Sequence, residues 1–204
     1  MSKVKICGLS RMEDIIAVNR ALPDYIGLVF APSRRRIDDR TAAMLKERLD
    51  RRIKSVGVFV NEEIEIVARL FGRGVIDLVQ LHGDEDAAYI ARLKECCGCP
   101  VIKAVGVGDA LPPLPGNADY LLFDTLSAQR GGTGEPFDWG LLKDFNGLPY
   151  FLAGGLTIAN TPDAIHSLAP FCVDVSSGVE TNERKDADKI NQITRLVRAY
   201  IPKT

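Results

Sequence analysis

The stretch SVGVFVNEEIEIVARLFGRGVIDLVQLHG (55–83) contains a strand, a helix and a second strand in about thirty residues, the size of a βαβ unit. Ser55–Val60 and Ile76–Leu81 are short, nearly continuous apolar runs, the pattern required of strands buried on both faces. Between them Ile64, Val67, Ala68 and Phe71 follow the i, i+3, i+4, i+7 spacing of one helical face, and Gly72 and Gly74 supply a stop. Asn61 is the expected N-cap, with Glu62 and Glu63 well placed in the first turn for the helix dipole.

The same alternation extends in both directions. Further strands are expected at Lys3–Cys7, Tyr25–Phe30, Val101–Val105, Tyr120–Asp124, Tyr150–Ala153 and Cys172–Val175, which makes eight in all. Helices are expected from a Ser10–Glu13 capping box through Ala21, and at Thr41–Leu49, Asp84–Glu95, Thr161–Leu168 and Ala187–Tyr200. Two crossovers read as weak. Pro112, Pro113 and Pro115 oppose a full helix in one, and only Trp139–Phe145 looks helical in the other. Eight βα repeats point to an α/β fold, a single (β/α)₈ TIM barrel spanning residues 1–204 as one domain. An open doubly wound sheet is the competing arrangement. Eight is the number of strands that closes around a side-chain-filled interior, and this favours the barrel.

The composition narrows the partners. With 46% hydrophobic and 26% charged residues, the 204-residue chain has the make-up of an ordinary globular protein. A formal charge of −1 gives no electrostatic support for binding nucleic acid or an anionic membrane. No apolar run approaches the roughly 18 residues of a membrane span, and the MSKVKICGLS terminus lacks the apolar core of a signal peptide. A cytoplasmic protein is expected. Its five cysteines fit that expectation: Cys96, Cys97 and Cys99 are too close together for a disulfide framework and lack histidines at metal-ligand spacing, so they read as reduced thiols. No metal site is expected.

The loops after the strands hold the chemistry. They carry Cys7-Gly8, Ser33-Arg34-Arg35-Arg36, His82-Gly83, Asp124-Thr125, Gly154-Gly155 and Ser176-Ser177-Gly178. In a barrel all of these lie at the C-terminal mouth, where such folds build active sites. Glycine lets backbone N–H groups approach an anion, and serine hydroxyls add donors. Gly154, Gly155, Ser176, Ser177 and Gly178 after strands seven and eight therefore read as a phosphate site.

The strings KICG (5–8), VGVFVN (56–61), VQLHG (79–83), IKAV (102–105), FDT (123–125), GGTG (131–134), FDW (137–139), AGGL (153–156) and VDVSSGVE (173–180) resemble the phosphoribosylanthranilate isomerase family, in order and over essentially the whole chain. The resemblance implies a cofactor-free barrel of tryptophan biosynthesis. Its reaction would be the Amadori rearrangement of N-(5′-phosphoribosyl)anthranilate to 1-(2-carboxyphenylamino)-1-deoxyribulose 5-phosphate. It further implies Asp124 as the acid that opens the furanose ring and Cys7 as the base that removes the C2′ proton. An arginine after strand two would hold the anthranilate carboxylate, with Arg35 selected by alignment and Arg34 the next choice. His82 would line the same pocket, while His166 reads as structural. The expected partner is a small phosphosugar, with neither nucleic acid nor membrane, and the chain is expected to be a monomer or homodimer.

Related barrels make different demands. An indole-glycerol-phosphate synthase would need a lysine where Cys7 stands, and a histidine-pathway isomerase an aspartate there. A barrel that binds phosphate without catalysis would have no use for Cys7 and Asp124 together. Ser127–Pro136, with three glycines and an arginine, reads as a cover that keeps water from the imine and enolamine. Ala21-Leu22-Pro23-Asp24 stands where the family leads one to expect a glycine-containing turn.

Overall fold

The computed structural model describes residues 1–114, 116–126 and 137–200. The proposed cover at 127–136, the GGTG string and Pro115 lie outside the described residues. Eight parallel strands close on themselves: β1 (Lys3–Cys7), β2 (Tyr25–Val29), β3 (Lys54–Phe59), β4 (Leu78–Leu81), β5 (Val101–Val107), β6 (Tyr120–Thr125), β7 (Tyr150–Leu152) and β8 (Cys172–Val175). Closure comes from β8 pairing with β1, Lys5 opposite Asp174 and Ile6 opposite Val175. This pairing leaves no free sheet edge, and the open-sheet alternative falls.

Helices α1 (Met12–Ala21), α2 (Asp39–Arg48), α3 (Ile64–Gly72), α4 (Ala87–Cys97), α5 (Thr161–Leu168) and α6 (Ala187–Ala199) surround the barrel. The two weak crossovers are short of helix as expected. Among the described residues none forms between β5 and β6, and Trp139–Leu142 is a single 3₁₀ turn. Among the described residues no helix is long and apolar enough to cross a membrane. A short hairpin, β9 (Glu180–Thr181) and β10 (Arg184–Lys185), follows β8.

The sequence pattern accounts for two apolar clusters. Alternate strand residues such as Val4, Ile6, Val79, Leu121 and Val173 face outward onto helix residues such as Ile15, Val18, Leu45, Leu70, Leu93, Ile190 and Ile193. The intervening residues face inward. Tyr25, Val56, Leu78, Ile102, Leu122, Phe151 and Cys172 form an apolar plug inside the barrel. Above this plug the interior changes character, because Lys5, Gln80 and Asp174 are buried there.

Four helix starts differ from expectation, α2 by beginning at Asp39 rather than Thr41. The cap of α1 is Arg11 rather than Ser10, because buried Asp14, and not exposed Glu13, reaches back. Its Oδ2 accepts the backbone N–H groups of Ser10 and Arg11 at 3.0 and 3.1 Å. Asn61 does not cap α3, which starts after Glu63. Instead Asn61 adopts φ 51°, donates its N–H to Glu85 Oε1 at 2.7 Å and accepts the Asp84 N–H at 2.8 Å. It thereby ties the β3–α3 loop to the β4–α4 loop at the mouth. With Asp84 so engaged, α4 starts later, capped by Asp86. The turn after α1 does without glycine by placing Leu22 itself in the left-handed region at φ 58°.

Candidate active site

The C-terminal mouth holds a cavity of about 840 Å³ whose lining includes Cys7, Arg35, His82, Asp124, Gly154, Gly155, Ser176 and Ser177. Of the site residues expected from the sequence, only Gly178 sits behind the wall. A Cβ there would come within 2.0 Å of the Leu156 carbonyl oxygen. Gly178 therefore allows the loops after β7 and β8 to touch, which they do through a Thr157–Gly178 bridge. Gly154 and Gly155 take φ of 81° and 64°, a region that disfavours side chains. Asn160 braces this turn, donating to the Gly155 carbonyl at 3.0 Å and accepting the Thr157 N–H at 2.7 Å. The two loops thus present two glycines and two serines to one corner of the cavity, a donor-rich setting for an anion.

Cys7 ends β1 opposite Gly27 of β2. A Cβ on Gly27 would lie 2.5 Å from the thiol sulfur, so glycine at position 27 makes room for it. After Cys7 the chain turns sharply at Gly8 (φ 83°), whose N–H and that of Leu9 both donate to the Gly27 carbonyl. Burial pushes the Cys7 thiol up, with Asp174 adding to the effect, while Lys5 and Lys185 pull it down.

Asp124 projects from the apolar end of β6 with 20% of its side chain exposed. Burial, reinforced by the nearby Asp174 carboxylate, pushes its pKa up to about 6, against the N–H of Thr125 at 2.8 Å and the Lys5 ammonium. A carboxyl in this range is protonated for a useful fraction of the time near neutrality.

A polar chain joins these groups across the barrel interior. Lys5 Nζ donates to Asp174 Oδ2 and to Gln80 Oε1, each at 2.7 Å. With its oxygen so fixed, the Gln80 amide turns its Nε2 toward His82 Nδ1 at 2.9 Å and can only donate there. That assigns the proton of the neutral imidazole to Nε2, which faces Asp124 Oδ2 at 3.6 Å. Asp174 Oδ1 is buried and accepts no hydrogen bond among the described residues, although Asp174 lines the cavity.

The arginine loop is organised by a residue that the sequence reading left without a role. Glu180 of β9 takes Arg35 through Nε at 2.9 Å and Nη2 at 3.1 Å, Arg34 at 2.6 Å and Lys185 at 2.7 Å. Burial opposes its charge, but Arg35, Lys185 and Arg34 overcome that and hold its pKa down to about 2. Arg35 is thus anchored by Glu180 through Nε and Nη2, and it lines the cavity. Arg36 is not part of this cluster of cations around Glu180, and His166 pairs with Tyr200 at 2.8 Å, remote from the mouth. Lys5, Gln80, Asp174 and Glu180 stand inside the family-like strings KICG, VQLHG and VDVSSGVE without a role being expected of them, and Lys185 stands beyond these strings.

The family model for N-(5′-phosphoribosyl)anthranilate (PRA) isomerase matches residues 4–195. The chain belongs to the PRA isomerase family. It is 52% identical over 200 residues to the N-(5′-phosphoribosyl)anthranilate isomerase of Endomicrobium trichonymphae, covering 98% of this chain and all of that one. The crystal structure of the Thermotoga maritima enzyme superposes with a TM-score of 0.85 at 34% identity, covering 98% of this chain and 100% of that one. A further PRA isomerase structure, solved in complex with reduced 1-(o-carboxyphenylamino)-1-deoxyribulose 5-phosphate, matches with a TM-score of 0.82 at 32% identity, over 98% of this chain and 100% of that one. Membership makes the chain an isomerase of tryptophan biosynthesis.

Proposed function

We propose that the chain rearranges N-(5′-phosphoribosyl)anthranilate to the corresponding 1-amino-1-deoxyribulose phosphate, with Asp124 as general acid and Cys7 as general base. The observation that carries this reading is that a carboxyl held up to about 6 and a thiol line one cavity, which also holds the glycines and serines of the loops after β7 and β8. Asp124 protonates the furanose oxygen, and the ring opens to a protonated imine. Cys7 then takes the C2′ proton, leaving an enolamine that ketonises. The substrate phosphate sits on Gly154, Gly155, Ser176 and Ser177, and its aromatic carboxylate takes the remaining Arg35 donors. The buried Asp174 Oδ1 accepts a sugar hydroxyl.

The two pKa directions give the pH profile an unusual meaning. The working form has Asp124 protonated and Cys7 ionised, although Asp124 titrates below the thiol. Between the two values this form is a small but constant fraction of the enzyme, so kcat/KM is flat there. It falls below about pH 6, as Asp124 and Cys7 are both protonated, and falls again above the thiol's raised value.

The test is to generate N-(5′-phosphoribosyl)anthranilate in situ, follow loss of its fluorescence on adding the protein, and identify the product by mass and ketose reactivity. Turnover to an isomeric ketose is expected. No turnover across pH 6–9 would overturn the assignment.

A further inference from the structure

Lys5 has no exposed surface, yet it carries a charge in the barrel interior. Burial alone would neutralise it, but Asp174 and Cys7 hold its pKa above the ordinary lysine value. An ammonium has three donors. Two are used, on Gln80 Oε1 and Asp174 Oδ2, both at 2.7 Å. Cys7 lies two residues further along β1, on the same inward face, and the charge of Lys5 favours its thiolate.

Resting on the assignment of Cys7 as base, we propose that Lys5 is a positioning residue for the reaction: anchored by Gln80 and Asp174, it directs its remaining N–H at the Cys7 sulfur and stabilises the thiolate that takes the proton. Lys185, the other buried cation near this thiol, is less suited. Its donors go to Glu180 Oε1 at 2.7 Å and to Ser176 O and Oγ at 2.9 and 3.4 Å.

The remaining charged groups around Cys7 define what else acts on it. Asp174 on β8 opposes the thiolate. Arg35, packed against Gly8, and Lys185 on β10 are both paired with Glu180. Asp124 on β6 and His82 after β4 line the same cavity. Lys5 is the fully buried cation on the thiol's own strand, and its carboxylate partner is fixed on the adjacent one. The same lysine, through Gln80, also sets the proton of His82 toward Asp124. One buried charge therefore orients groups on the base side and on the acid side of the cavity.

The test uses Lys5→Met and the double variant Lys5→Met/Asp174→Asn. The double variant leaves no buried charge uncompensated, so it carries the test if the single variant does not fold. Iodoacetamide labelling of Cys7, read at that peptide by mass spectrometry across pH 6–11, reports its thiolate without interference from the other cysteines. The expected result is an upward shift of the labelling midpoint by at least about one pH unit in Lys5→Met relative to wild type, and in the double variant relative to Asp174→Asn, since loss of the opposing carboxylate lowers the thiol by itself, with the alkaline limb of kcat/KM moving by the same amount. The plateau should fall by up to about tenfold, because one unit is a tenfold smaller thiolate fraction. A merely structural role would lower activity without moving the midpoint. A folded Lys5→Met whose Cys7 midpoint stays at the wild-type value, or a double variant whose midpoint stays at that of Asp174→Asn, overturns the proposal. Undiminished turnover by Cys7→Ala would instead remove the base assignment, leaving the labelling result to judge the Lys5–Cys7 contact on its own.

Discussion

Gly27→Ala is a one-carbon change that should disable the base without touching it. The added Cβ would stand 2.5 Å from Cys7 Sγ, 3.1 Å from its Cα and 3.2 Å from its Cβ. Ordinary non-bonded contacts lie near 3.5–4.0 Å, so the sulfur must retreat by about 1 Å or the β1–β2 pairing must open. Opening is resisted, because the Gly27 carbonyl accepts both the Gly8 and Leu9 N–H groups, at 2.9 and 3.1 Å. The thiol is the softer element, and it moves. A misplacement of about 1 Å at a reacting group costs on the order of a hundredfold in rate, and the overpacking costs about 1–3 kcal/mol of stability. Steady-state kinetics should show kcat reduced about a hundredfold with KM within a few-fold, since the anion corner and Arg35 are on other loops. Thermal denaturation should show a folded protein of lower Tm. A folded Gly27→Ala enzyme with kcat within threefold of wild type would refute the reasoning, because the position of the sulfur would then not matter to the reaction.

Three further outcomes follow from the same geometry. Asp124 has a folded pKa of about 6, above the ordinary carboxylate value, so the fold favours its protonated form. Its contribution to stability is complete below about pH 3.9 and is lost as pH rises through about 6, and urea denaturation should therefore find Asp124→Asn more stable than wild type by about 1–3 kcal/mol above pH 7, with no gap below pH 4. Arg35→Lys gives up the planar fork that lets one edge hold Glu180 while the other faces the cavity, so initial-rate kinetics should show KM raised about tenfold with kcat changed far less. Exposed Ala169 ends α5 at φ 43°, and Ala169→Gly should relieve about 0.5–1 kcal/mol of left-handed strain, seen as a Tm gain of about 2 °C.

The alternation of apolar runs and amphipathic helices made the barrel legible, because strands covered on both faces have no other period to follow. Helix starts were less legible. The capping residue is decided by which carboxylate turns inward, and neither Asp14 reaching back to Arg11 nor Asn61 bridging to Asp84 can be read from spacing. The same limit applies to the site. Cys7, Asp124, His82 and the glycine–serine corner stand at strand ends, where their position announces them. Lys5, Gln80 and Asp174 stand within strands. Gln80 and Asp174 are single polar residues in apolar runs, Lys5 shares β1 with Lys3, and the meaning of each depends on closure, which brings β1, β4 and β8 to face the same interior. Glu180 was part of a quoted motif, but its grip on Arg34, Arg35 and Lys185 exists only once the hairpin after β8 folds over the loop after β2.

The most direct measurement is kcat/KM for N-(5′-phosphoribosyl)anthranilate, by fluorescence decay, in wild type, Cys7→Ala and Asp124→Asn. Removal of a general acid or base should lower it at least about a hundredfold in each variant, with both proteins folded. Full activity in either folded variant would contradict the acid–base pair on which the account rests.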